Sequence, residues 1–214
     1  MLSFSRRFGG CRYGEHPHAP QGKSRGTVYI QRGTSTIGPV HTNEDLFRDE
    51  SRKVALTTIL HRAADLGIDR KGLDTSVHLH FLGASAKKDG PSAGGAIVLA
   101  LASHFTGKKV RRDIAMTGEI DTQGRIAGIG GLSVKMETAY AAGVKTLIIP
   151  IENLKGDEGI EMLPESFTRE LQILTYEQWK KIHEPFDQDR WLLQVVAVDD
   201  IVQAVDVAFV ILTT

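Results

Sequence analysis

The stretch "KKDGPSAGG", residues 87–95, places Ser92 between glycines and directly after a proline, behind the alternating "SVHLHF" and ahead of the apolar "AIVLALASHF". Pro91 and Ser92 therefore open a helix, whose first backbone N–H groups lack internal partners and carry partial positive charge. Two readings of the serine are open. It can be a nucleophile whose neighbouring N–H groups hold an oxyanion, a contribution of about 3 kcal/mol per donor. It can equally be an ordinary cap with proline near the first helical position.

"GPSAG" also satisfies the G-x-S-x-G nucleophile elbow, which needs an acid and then a histidine downstream. His104 lies near the end of the helix that Ser92 would begin, about 18 Å away at 1.5 Å per residue. His183, in "WKKIHEPFD", has no cue tying it to the site. Proline before the serine also suits the strained elbow poorly. Without a histidine, a lysine can activate the serine if its amine is neutral, a state favoured by burial and by a nearby positive field. "GIGGLSVKMETAYAAG" offers Lys135, in the first turn of a helix of small and apolar residues where a cation opposes the dipole. Its bland reading is a surface lysine with a buried stem.

Two nucleotide readings fail. "GIGGLS" ends in serine where a dinucleotide fingerprint has glycine or alanine, and the strand before it is short. "GKS" at Gly22 to Ser24 has Pro17 where a phosphate loop needs glycine, and no strand precedes it.

The elements that must position Ser92 and Lys135 follow from periodicity. "TVYIQR" reads as a strand, and "TNEDLFRDESRKVALTTILHRAADLG" as a long amphipathic helix with Thr42 or Asn43 as cap and Gly67 closing it. Then come the strand "SVHLHF", a helix over 93–105, the strands "DIAMTG" and "GRIAGI", a helix over 132–142 and the strand "TLIIP". Near the end, "LLQVVAV" is a strand, and Asp199 or Asp200 caps the helix "IVQAVDVAFV". The pattern is α+β or α/β without an internal repeat.

The chain has 214 residues and 41% hydrophobic content, enough for one core. Lys plus Arg and Asp plus Glu each total 26, so net charge draws it neither to nucleic acid nor to an anionic membrane. No apolar run reaches the roughly 18 residues of a membrane span. The single cysteine, Cys11, fits a reducing compartment, and the cytoplasm is the expected location. Residues 1–25 read as a flexible extension, and 26–214 as the domain. The first 14 residues carry Ser and Arg but no acid, which keeps the mitochondrial matrix as the alternative.

Taken together, "KDGPSAG", "AMTGEI", "GRIAGIGGL" with Lys135, and "AAGVKTLIIPIEN" resemble, in order and spacing, the proteolytic domain of Lon proteases, which use a Ser-Lys dyad. The resemblance covers about residues 42–154 and returns more weakly at 195–210. It implies mixed sheets packed on helices, a serine endopeptidase acting on unfolded or damaged polypeptides, Ser92 as nucleophile and Lys135 as general base. It also implies that Thr117 hydrogen-bonds the lysine, that Asp89 is the family's acidic residue three before the serine, and that Gly90 supports the same turn. His78 and His80 match a pair of strand histidines. His80 either lines the site or is simply a half-buried strand residue, and no metal is expected there.

The chain departs from the family in three places. Leu82, Gly83 and Ala84 stand where members usually carry Pro-Glu-Gly, so the loop facing substrate is expected to differ. "LTYEQWKKIHEPFDQDRWL" reads as an insertion at about 175–193, in which Trp179 and Trp191 either pack on the core or bind a partner. The family's AAA+ motor has no counterpart in the sequence, so no cofactor is expected, and ATP and Mg enter only with an AAA+ module from a longer chain or partner. The resemblance implies a six-membered homo-oligomer. A non-proteolytic Lon-like scaffold is the rival reading.

Overall fold

The computed structural model describes residues 2–4, 26–33, 46–73, 76–81, 91–182 and 186–209. Thr42, Asn43, residues 82–90 with Asp89 and Gly90, and His183 lie outside them. Within them the chain is α/β. The main sheet runs in the order β3-β2-β1-β4-β7-β9-β8, where β1 is Leu2–Phe4, β2 Gly26–Gly33, β3 Ser76–Phe81, β4 Ile114–Met116, β7 Thr146–Pro150, β8 Leu171–Thr175 and β9 Leu193–Val198. A separate hairpin pairs β5 (Glu119–Ile120) with β6 (Ile126–Ala127). The helices are α1 (Leu46–His61), α2 (Gly94–Thr106), α3 (Leu132–Ala141), α4 (Glu165–Thr168), α5 (Tyr176–Lys180) and α6 (Ile201–Ala208).

The middle of the sheet is parallel: β4 pairs with β7, β7 with β9 and β9 with β8. Both faces are covered, which is why these strands read as apolar runs without a polar alternation. Successive residues still divide between two cores. Ile114, Met116, Ile148, Val196 and Val198 join α1, α2 and α6, whereas Ala115, Leu147, Ile149, Val195 and Ala197 join α3. Each fully buried Leu, Ile or Met contributes about 1.5–3 kcal/mol relative to exposure.

Helix α2 is apolar on all sides and is buried from Gly94 to Ala102, so it is the central helix and not a surface one. It ends at Gly107, whose φ of 73° is the usual left-handed terminator. Of the two candidate caps of α6, Asp200 is the one used. Its carboxylate accepts the Val202 N–H at 2.8 Å and a fork from Arg62, whose own position on the turn after α1 fixes the β5–β6 connection through Gln123 O.

Three features differ from the periodicity reading. Leu2–Phe4, in the expected extension, lies between β2 and β4, parallel to the first and antiparallel to the second. Three residues are too few to show a period. The other two are elements the periodicity reading did not assign: "LQILT" is the edge strand β8, and Thr175 starts α5 with a reciprocal capping box to Gln178. Trp179 packs against the α2 core and stacks with Tyr176, whose hydroxyl donates to Asp206 of α6 at 2.7 Å. The core-packing alternative therefore holds for Trp179.

Candidate active site

Ser92 lies in a short 3-10 turn, Pro91–Ala93, that runs straight into α2, and it is half-buried. Its backbone is strapped to the segment that follows β4. Ser92 O accepts the Gly118 N–H at 2.9 Å, and Gly95 N–H donates to Gly118 O at 3.1 Å. The approach is close because α2 begins with glycines. A Cβ on Gly94 would lie 2.7 Å from Ile120 Cγ2. Thr117, only 1% exposed, sits on the same strap, with its N–H on Ile148 O and its hydroxyl donating to Ser92 O at a long 3.4 Å.

Lys135 reaches its place by a second strap. Before α3, the chain from Gly128 to Gly131 is held by side chains from the segment that follows β7. Glu152 accepts the Gly128 N–H at 2.6 Å. Asn153, 3% exposed, accepts the Ile129 N–H at 2.9 Å and donates to Ile129 O at 2.8 Å and to Glu158 O at 3.1 Å. Glu158 accepts the Gly131 N–H at 2.8 Å. Gly131 itself has φ of 65°, a conformation that gives α3 its abrupt entry and leaves it with no side-chain cap of its own.

The two straps meet. They follow the carboxyl ends of adjacent parallel strands, β4 and β7, the end where open α/β sheets place their ligands. A Cβ on Gly118, whose N–H holds Ser92 O, would lie 2.7 Å from Ile126 of β6 and 3.5 Å from Pro150 of β7. Ile126 leads to the Gly128–Gly131 segment, and Pro150 leads to Glu152 and Asn153.

Lys135 is half-buried, and its ammonium donates to Gly130 O at 2.5 Å. Among the described residues no hydrogen bond joins it to Ser92 or Thr117. Burial holds its pKa below the ordinary lysine range, and the charge of Glu158 pulls the other way. His78 and His80 lie on β3, paired with Gln31 and Tyr29 of β2. Asn153 and Glu158 were not singled out by sequence reasoning. Asn153 stands in the quoted "IPIEN", yet only its two-sided bond to Ile129 gives it a task.

Residues 32–186 match the sequence model of the Lon protease (S16) C-terminal proteolytic domain. The chain is 44% identical over 126 residues to the Lon protease of Chloroflexus aggregans, a match covering 58% of this chain and 15% of that protein. It is 41% identical over 134 residues to the Lon protease of Citrifermentans bemidjiense, covering 62% and 16%. To the Lon protease of Haemophilus influenzae it is 42% identical over 125 residues, covering 58% and 15%. The match thus spans only 15–16% of the length of these relatives.

Proposed function

Because the chain belongs to the Lon protease (S16) C-terminal proteolytic domain family, we propose that it hydrolyses peptide bonds by a Ser-Lys dyad, with Ser92 as nucleophile and Lys135 as general base. The observation that carries this reading is the meeting of the two straps, one holding Ser92 O through Gly118 and the other the start of α3. The depressed proton affinity of Lys135 supports it further, since only a neutral amine can take the serine proton.

In the reaction, Lys135 turns from Gly130 O to Ser92 and removes its hydroxyl proton. The alkoxide adds to the scissile carbonyl, and backbone N–H groups at the start of α2 stabilise the oxyanion. Collapse of the tetrahedral species breaks the C–N bond as Lys135 returns the proton to the leaving amine. Water, deprotonated by the same amine, then hydrolyses the ester and frees Ser92. Thr117 acts as support, its hydroxyl close enough to the Ser92 backbone to guide the lysine once it turns inward. Asp89, Gly90 and His80 complete the proposed site.

The substrates are unfolded or damaged polypeptides. The proposed partners are further copies of the chain in a six-membered ring and an AAA+ module that supplies ATP-driven unfolding. Among the described residues no helix is long and apolar enough to cross a membrane; the cytoplasm is the proposed compartment, with the mitochondrial matrix as alternative. The rival scaffold reading is favoured by one observation, the engagement of Lys135 with Gly130 O and not with Ser92.

A covalent fluorophosphonate probe separates the two. The expected result is one adduct by intact mass on the wild type, none on Ser92→Ala, and a loss of peptidase activity on the order of 10⁴-fold in that variant with the fold intact. Absence of an adduct on wild-type protein that binds polypeptide, or activity of Ser92→Ala above about a tenth of wild type, favours the scaffold.

A further inference from the structure

A helix that begins with Gly131 and carries Lys135 in its first turn has its charge the wrong way round, since the partial positive end of the dipole attracts an anion and repels an ammonium. The missing acid is present, but it arrives from elsewhere in the chain. Glu158, 27 residues beyond Gly131, places its carboxylate on the Gly131 N–H at 2.8 Å. The adjacent carbonyl, Gly130 O, holds the Lys135 ammonium at 2.5 Å, and a Cβ on Gly130 would lie 3.9 Å from the Glu158 carboxyl carbon. Anion and cation are thus anchored to neighbouring backbone groups of one turn.

We infer that Glu158 is a positioning residue that sets the basicity of Lys135, its negative charge favouring the ammonium and so determining the pH at which the proposed base becomes competent. The inference rests on the dyad reading for its catalytic consequence. The other ionisable side chains carried by α3 and by the facing segment are Glu137 and Tyr140 on the helix, Glu152, Lys155 and Asp157 before Glu158, and Glu161 after it. Glu152 directs its carboxylate to Gly128 N–H, and Glu158 is the one whose charge acts on Lys135. Burial of the ammonium alone would leave the lysine a weaker base than it is with Glu158 present. Glu158 is exposed, so salt screens its effect.

Glu158→Gln isolates the charge, because the amide oxygen can still accept the Gly131 N–H. Lys135 is titrated directly by NMR of lysine side-chain carbons, its signal assigned by disappearance in Lys135→Arg, and the pH dependence of peptide cleavage is recorded in parallel. The expected result is that Lys135 titrates at lower pH in Glu158→Gln, that the rising limb of activity moves down with it, and that the rate at neutral pH rises at least about twofold. About 1 M salt should move the wild type toward the variant. Glu158→Ala should show the same shift together with faster exchange of the Gly131 amide, which separates the charge from the hydrogen bond. Unchanged titration of Lys135 in Glu158→Gln overturns the inference and leaves the dyad standing. A lowered lysine titration with an unmoved activity profile upholds the control of Lys135 by Glu158 and removes the dyad.

Discussion

Asn153 pairs with Ile129 on both sides of the peptide, accepting its N–H at 2.9 Å and donating to its carbonyl at 2.8 Å, as a neighbouring strand would. The amide is buried, so no water replaces these bonds when it is removed. Asn153→Ala should therefore lower unfolding stability by about 2–4 kcal/mol, the cost of leaving buried backbone groups unpaired. Asn153→Asp keeps the acceptor but has no donor for Ile129 O and Glu158 O, and should rescue little. Urea unfolding gives both numbers, and a loss below about 0.5 kcal/mol for alanine would show that the loop has other means of closing.

Lys135→Arg should be inactive although it keeps the charge, because guanidinium does not deprotonate near neutrality. In the wild type, activity should rise with pH through the lysine's own titration, which burial places below the ordinary lysine range. A depressed lysine also means that the unfolded chain binds more protons than the native one between the two titrations, so stability rises with pH across that window. Lys135→Met should accordingly be more stable than wild type at neutral pH, with the difference shrinking as the pH nears the ordinary lysine value. Peptidase assays and chemical denaturation over the same pH series check both signs.

Gly94→Ala places a methyl 2.7 Å from Ile120 Cγ2 and 3.3 Å from the Ile120 backbone nitrogen. Overpacking of this kind costs about 1–3 kcal/mol, partly offset by the roughly 1 kcal/mol gain in helix propensity. Ile120 follows the Gly118 that grips Ser92, so activity should fall further than the stability change accounts for. Thermal unfolding and cleavage rate, measured on the same preparation, separate the two effects.

The chain by itself, without ATP, should cleave casein and short peptides but spare a stably folded protein. The phosphate-loop candidate at Gly22 to Ser24 has Pro17 where glycine is needed, so the energy to oppose the 5–15 kcal/mol or so that holds a domain together is proposed to come from the AAA+ module. An extended substrate can add its backbone to a strand edge. Among the described residues β3 ends the sheet, and it precedes Pro91 by ten positions, so its outer edge is the proposed partner. Digestions with and without ATP and magnesium, and with a peptide N-methylated at alternate positions, test this. ATP-stimulated cleavage of the folded protein would reveal a motor, and unimpaired cleavage of the methylated peptide would rule out strand addition.

The sequence by itself determined the elements whose signal is local: the apolar runs of β4, β7 and β9, the uniformly apolar α2, the helices over 93–105 and 132–142, and the placing of Ser92 and Lys135 each at a helix start. These depend on residues within a turn or two of one another, and hydrophobic period and capping chemistry report them directly. Only the tertiary structure decided that Leu2–Phe4 enters the sheet, that β8 is an edge strand, and that Glu152, Asn153 and Glu158 hold the segment before α3 across separations of 24 to 27 residues. The sequence showed a lysine in a helix turn that favours an acid. The fold brings that acid in from the loop after β7, because a backbone N–H left open at a helix start binds whichever carboxylate the packing of adjacent strands carries to it.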